Sequence, residues 1–273
     1  MTYTHGHHES ALRSHRRRTV GNSAAYLADR LRPGLSLLDV GCGPGTITAD
    51  FGRLLAPGRV VGIDTAVPVL AEARQAAAGT QAAAGTQAAA GTGVSNVDFS
   101  AGSAAALPFR DGTFDVVHAH QVLHHVADPV GVLREMRRVC RPGGLVAARE
   151  TDWAAMAWYP AVPELDEWLT LVRRVLRQGG EPDAGRRLLS WARQAGFTDI
   201  TPGASTWCYA TPEERAWWSA SWADRMLHSE TARQAQRYTT PGDLARISAG
   251  WSAWGQAADG WFAVLHGEIL CVA

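Results

Sequence analysis

The sequence predicts an α/β fold with a ligand site where parallel strands run into their following helices. Three observations carry this reading. Short apolar runs alternate with helical segments five times over residues 36–150, the pattern of a sheet covered by crossover helices. The first run, ending Leu37-Leu-Asp-Val40, breaks into Gly41, Gly43 and Gly45 before a helix, so backbone can lie against a ligand at a helix N-terminus. The second run, Val60 to Asp64, ends on a carboxylate 19 residues after Gly45, where it can accept both hydroxyls of a ribose. Together they point to a nucleotide-like cofactor.

The elements follow in order. Residues 1–9 are polar, with Tyr3, His5, His7 and His8, and lead into a helix expected from about Ser10 to Leu31, stopped by Pro33-Gly34. A helix covers Thr46 to Leu55 and ends at Pro57-Gly58. Another starts at Pro68 and runs into Gln-Ala-Ala-Ala-Gly-Thr repeated three times over residues 75–92. Period six is too short for a solenoid unit, so the repeat reads as a surface expansion without chemistry. Strand three spans Val97 to Ala101, strand four Phe114 to Ala119 and strand five Leu145 to Ala148. Between the last two, Asp128-Pro129 caps a helix whose stripe is Val132, Leu133, Met136, Val139 and Cys140, closed by the Arg141-Pro-Gly-Gly144 turn.

Spacing narrows the cofactor. A dinucleotide fingerprint needs a third glycine where this chain has Thr46 or Thr48, and a P-loop needs a lysine, which the chain lacks altogether. The same absence excludes a Schiff-base lysine. What remains, Asp39 two residues before Gly41-Cys-Gly-Pro-Gly45, resembles motif I of the class I S-adenosylmethionine-dependent methyltransferases. Asp64, the Gly102-Ser-Ala-Ala-Ala-Leu-Pro-Phe109 segment, the His124-His125 pair and the Arg-Pro-Gly-Gly turn are similar to the ubiquinone/menaquinone-biosynthesis-type branch, over roughly residues 20–150. The resemblance implies a Rossmann-like, seven-stranded mixed sheet whose last strand is antiparallel, an N-terminal helical lid, and S-adenosyl-L-methionine as cofactor. It implies cofactor contacts from Asp39, Gly41, Cys42, Gly43, Asp64, Thr65, Gly102, Ser103, Ala104 and His120. Ser103 departs from the family, which has an acidic residue there to accept from the adenine amino group; a hydroxyl accepts without charge assistance.

The second half is built differently. All eleven tryptophans lie beyond residue 150. A division follows: residues 1–34 as lid segment and helix, 35–150 as cofactor core, and 151–273 as substrate-shaping helices with the last two strands of the same domain. Arg149, Glu150, Asp152 and Trp153 leave strand five on the cleft side, facing substrate or forming a salt-bridged loop. Helices are expected from Pro163 and over Ala184 to Ala195, a strand from Phe197 to Tyr209, helices over 211–256 beginning with a capping box at Thr211, and a final strand from Trp261 to Val272. The insertion carries Trp217, Trp218, Trp222, Trp251 and Trp254, more than a small core needs, so some line a pocket or a homo-oligomer interface.

Composition bounds the partners. Charge is balanced at 26 basic and 26 acidic residues, which steers the chain towards neither nucleic acid nor an anionic membrane. The four cysteines show no metal or disulfide spacing and, with no apolar run of membrane length, make a cytoplasmic protein the expectation. His120, His124 and His125 lack a cysteine or carboxylate at metal spacing, so no metal is expected. Methyl transfer releases a thioether that needs no proton, so catalysis leaves little trace in sequence. His120, His124 and His8 are the candidate bases, because histidine titrates near neutrality, and Tyr3, Trp153 and Trp218 the candidate acceptor contacts. The acceptor expected is a small molecule, quinone-like or a secondary metabolite. The alternatives are nicotinamide oxidoreduction on the same core, or a non-catalytic relative that keeps the cofactor site.

Overall fold

The computed structural model describes residues 14–79 and 93–273. Tyr3, His5, His7, His8 and residues 80–92 of the six-residue repeat lie outside the described residues.

Five parallel strands form as expected: β1 Leu37–Val40, β2 Val60–Asp64, β3 Val97–Ala101, β4 Phe114–His120 and β5 Cys140–Thr151. β6 (Ala157–Tyr159) is a short strand that the sequence did not announce; β7 (Ile200–Tyr209) and β8 (Trp261–Val272) match the expected last two. The sheet order is β3-β2-β1-β4-β5-β8, with β6 continuing beyond β5 along one side of β8 and β7 on its other side. β8 is antiparallel to all three neighbours, so the sheet is mixed, with eight strands rather than seven. β5 is longer than expected because the Arg141–Gly144 turn is absorbed into it: the register jumps from Phe114↔Cys140 to Val116↔Leu145.

Strand alternation sends side chains to two faces. One face packs Leu38, Val40, Val117 and Val146 under α5 (Pro129–Val139) and α7 (Leu188–Gln194). The other packs Leu37, Val60, Val116 and Ala147 under α1 (Val20–Ser23), α2 (Ala25–Ala28) and α3 (Thr46–Leu55). α4 (Val67–Ala77) lies against β3. A third core joins α6 (Pro163–Leu176), α8 (Pro212–His228), α9 (Glu230–Ala235) and α10 (Pro241–Gln256) to the first half of β8. At its centre the Trp168 ring lies 4.7 Å from those of both Trp222 and Trp251, edge to face.

The expected long N-terminal helix is a correction. Within the described residues it is broken at Thr19, whose hydroxyl accepts from Asn22 N while Asn22 Oδ1 accepts from Thr19 N. That reciprocal cap starts a new helix, and Gly21, Asn22 and Ser23 are poor helix formers, so the stretch from Thr19 to Ala28 holds two four-residue helices in place of a continuous one. No described helix is long and apolar enough to cross a membrane.

Candidate functional site

The site begins at the carboxyl ends of β1, β2 and β4. Asp39, buried in β1, accepts from Thr48 Oγ1 at 2.6 Å, and its other oxygen is 2.8 Å from His118 Nδ1. Its carboxylate thus ties the strand to α3 and β4 beneath the glycine loop. Cys42 N donates to Ile63 O at 2.9 Å, which locks the loop to β2. Burial, with Asp39 and Asp64 adding to it, pushes the Cys42 thiol well up, so it stays protonated.

Gly43 has φ +53, and a Cβ there would meet nothing within 4 Å, so one face of the loop backbone is open. Gly41, at φ +69, is closed over instead: a Cβ would lie 2.4 Å from Val122 Cγ2. Asp64 accepts Gly43 N at 3.0 Å and Ala66 N at 2.9 Å. Each carboxylate oxygen offers a second lone pair, so the side chain can still take two ribose hydroxyls. Thr65 beside it is exposed. Gly102 N donates to Asp64 O, placing the following turn alongside; Ser103 is exposed with its hydroxyl accepting Ala105 N at 3.3 Å, and Ala104 is half-buried. An open glycine backbone, a helix N-terminus at Thr46 and a carboxylate with spare acceptors fit a ribose-bearing cofactor.

His120 lies one residue past the Ala119↔Val40 pair. It is buried, and neither ring nitrogen has a hydrogen-bond partner among the described residues. Burial first, then the charges of Arg18 and Arg149, holds its pKa well below the usual histidine value, so it is a neutral base. The next residue, Gln121, has φ +55, rare for a residue with a side chain. It is held there by Arg18 Nη2 donating to Oε1 at 2.5 Å, its own Nε2 donating to Thr151 Oγ1 at 2.7 Å, and its amide donating to Arg149 O.

Beyond Gln121 lies a cavity of about 460 Å³. The residues 14–22 segment, the ends of β5 and β7, and α8 supply its walls, with Trp153, Trp207, Trp217, Trp218 and Trp222 among them. His124 is not among them. Its Nδ1 is 2.6 Å from Glu150 Oε2, and Glu150 also accepts from Val122 N and Leu123 N, so the pair fixes the turn after β4. The neighbouring His125 faces the cavity instead. Arg149 and Asp152 take the salt-bridged alternative, Arg149 with Glu268 at 3.1 Å and Asp152 with Arg186 at 2.6 Å.

The chain matches the methyltransferase domain family over residues 38–148. Across 99% of its length it is 34% identical to an uncharacterised methyltransferase of Schizosaccharomyces pombe, covering 96% of that protein. This chain belongs to the class I S-adenosylmethionine-dependent methyltransferases. A demethylmenaquinone methyltransferase of Lactococcus lactis is 36% identical over 133 residues, 48% of each chain. The YcgJ protein of Bacillus subtilis shares the fold, with a TM-score of 0.57 at 19% identity over 92% of this chain and 98% of that one.

In this methyltransferase, Gly41, Cys42, Gly43, Asp64, Gly102, Ser103 and His120 gather at one end of the sheet, while Trp153 and Trp218 line the adjoining cavity. Sequence reading missed Gln121, Arg17, Arg18, Trp207, Tyr209 and Arg225. The Arg16-Arg17-Arg18 run was the available signal, a cluster of cations on a segment expected to cover the cleft.

Proposed function

We propose that the chain transfers a methyl group from S-adenosylmethionine to a small-molecule acceptor, quinone-like or a secondary metabolite, held in the tryptophan-lined cavity. The observation that carries this is Asp64 bound to the amide of an open Gly43 at 3.0 Å, next to the Thr46 helix N-terminus. Asp64 would hold the ribose, the Gly102–Ala104 turn the adenine, and the loop amides the amino-acid end. Residues 35–150 thus form the cofactor part, and the helices of residues 151–273 shape the acceptor site.

When bound, the cofactor supplies an electrophilic sulfonium methyl carbon, which bonds to the acceptor's attacking lone pair as the C–S electrons stay on sulfur. The chain's contribution is alignment and exclusion of water: the indole walls are rigid and Gln121 is fixed on three sides. Where the acceptor carries a hydroxyl, the candidate base is His120, whose neutral ring stands behind the cavity wall, 5.8 Å from the Trp207 ring.

Thermal unfolding tests the reading. S-adenosylhomocysteine at 100 times its dissociation constant adds about 2.7 kcal/mol, which for a domain of this size raises Tm by roughly 5–10 °C. NAD leaves it unchanged. A rise with NAD and none with S-adenosylhomocysteine would replace this proposal with nicotinamide chemistry.

A further inference from the structure

Among the described residues, two histidines line the cavity, His15 and His125. His120 stands behind the wall and His124 is turned to Glu150, so neither of these sequence-predicted bases meets the cavity. His125 ends the single 3₁₀ turn Leu123–His125 that follows β4, and its amide donates to Val122 O at 3.0 Å. Val122, at the start of that turn, closes over Gly41 of the glycine loop. At a rise of about 2 Å per residue, three residues carry the chain about 6 Å from the cover of the loop to the cavity wall. The turn is thus a partition between the cofactor part and the acceptor cavity, with His125 on its acceptor side.

Behind His125 lies a buried acid. The ring centres of His125 and His124 are 3.7 Å apart, with their planes at 44°. His124 Nδ1 is 2.6 Å from Glu150 Oε2, and Glu150 is fully buried. Glu150 also accepts from Val122 N and Leu123 N, and Glu181 N donates to His124 O at 3.1 Å, so both rings stand on a fixed backbone. A proton on His125 places a cation one ring away from this carboxylate, and a nearby opposite charge favours the protonated form. His125 itself is half-buried, which leaves it a route to return the proton to water.

Other titratable groups on the wall are less suited. The Thr211 and Ala210 amides hold the Glu214 carboxyl below its usual value, which makes it a poor base. Burial pushes the Tyr209 phenol well up. His15 lies within the Arg16–Arg18 run. Its carbonyl is 3.4 Å from Thr46 Oγ1, where the positive end of the α3 dipole disfavours a further cation.

From this placement we infer that His125 is the general base and that the acceptor is a phenol, its ring against the tryptophan walls and its hydroxyl at His125. This rests on the methyltransferase reading; it names the acceptor class and gives the proton to His125 in place of His120. As a lone pair of the phenol oxygen bonds to the methyl carbon, the C–S electrons stay on sulfur and the hydroxyl proton passes to a ring nitrogen of His125. The products are an aryl methyl ether, S-adenosylhomocysteine and a proton released to solvent. A phenol ionises near pH 10, as tyrosine does, so at neutral pH it gains from a base that titrates near neutrality.

The experiment supplies the full chain and S-adenosylmethionine at pH 7.5 with 2-naphthol and, separately, with 2-naphthalenethiol. The thiol has the same flat shape but is largely ionised in water at that pH, so its methylation needs no base. Mass spectrometry of the methyl ether or sulfide and release of S-adenosylhomocysteine are the readouts. Both probes should be methylated. His125→Gln should lower kcat for 2-naphthol at least 100-fold while changing kcat for the thiol less than threefold, with S-adenosylhomocysteine affinity within twofold of the wild type. His125→Asn repeats the comparison if the glutamine variant fails to fold. Equal losses with the two probes, undiminished turnover of 2-naphthol, a larger loss from His15→Gln or His120→Gln, or a wild type that binds S-adenosylhomocysteine but does not methylate 2-naphthol overturns the inference. A wild type that does not bind S-adenosylhomocysteine is a separate result, which strikes the methyltransferase reading itself.

Discussion

Gly43 N donates to Asp64 Oδ2 at 3.0 Å, joining the end of β1 to the end of β2 across 21 residues of chain. The bond sets the carboxylate beside Gly43, where an added Cβ would meet nothing within 4 Å among the described residues. A ligand with a vicinal diol close to a group that suits backbone amides can use both, and an adenosyl amino acid is such a ligand. The relationship makes the two motifs a single site.

Asp39 supports that site from below. Asp39→Ala removes the acceptor of Thr48 and the partner of His118, both fully buried. Stranding buried polar groups costs about 1–3 kcal/mol each, so urea unfolding should show a loss of about 2–4 kcal/mol, with Asp39→Asn losing less. A loss below 0.5 kcal/mol would show that the loop stands without it.

Stability should depend on pH through His120 and His266. Burial, with Arg149 and Arg18 adding to it, lowers both pKa values well below the ordinary one. The ordinary value, about 6.5, applies to the unfolded chain. Below that pH the unfolded state binds more protons than the folded state, so stability falls with acidification until the folded pKa values are reached. The slope is up to about 1.4 kcal/mol per pH unit for each ring. Denaturation at pH 7.5, 6 and 5 should show it, and His120→Asn with His266→Asn should flatten it; an unchanged profile contradicts the assignment.

Trp168 anchors the second half, buried against Trp153, Trp222, Trp251 and Phe262. Trp168→Ala should lower stability by about 3–5 kcal/mol. Because that core is separate from the glycine loop, S-adenosylhomocysteine affinity of the folded fraction should hold within twofold by calorimetry. A tenfold loss would mean the two halves are coupled.

Ser103 offers a gain instead of a loss. Its hydroxyl is exposed and committed only to Ala105 N. If the adenine amino group lies there, Ser103→Asp supplies a charged acceptor and should tighten S-adenosylhomocysteine binding roughly tenfold. Unchanged or weaker binding removes Ser103 from the adenine site.

Much of the fold was legible because its signals are local. The apolar run into Gly41 marked β1, and Pro163, the Thr211 capping box and the run Trp261–Val272 marked later elements without reference to anything distant. The break at Thr19 was hidden because a stripe from Val20 to Leu31 reads as helix, while Thr19–Asn22 capping acts within a single turn. β6 was missed because three residues carry no period. The acidic partners of the histidines were invisible for a different reason: Asp39 and His118 are 79 residues apart and meet through the β1–β4 register, while Glu150 and His124, 26 apart, meet because the turn after β4 folds back onto β5. The cavity escaped for the same cause, its walls coming from the N-terminal arginines, β7 and α8 at once.

The most direct test of the central claim is calorimetric titration of S-adenosylhomocysteine into the wild type and Asp64→Ala. Two charge-assisted hydrogen bonds to a ribose, at about 1.5–3 kcal/mol each, predict that the variant binds roughly 100- to 10,000-fold more weakly while remaining folded. Equal affinity of the two proteins would contradict a cofactor site built on the Gly43–Asp64 pair.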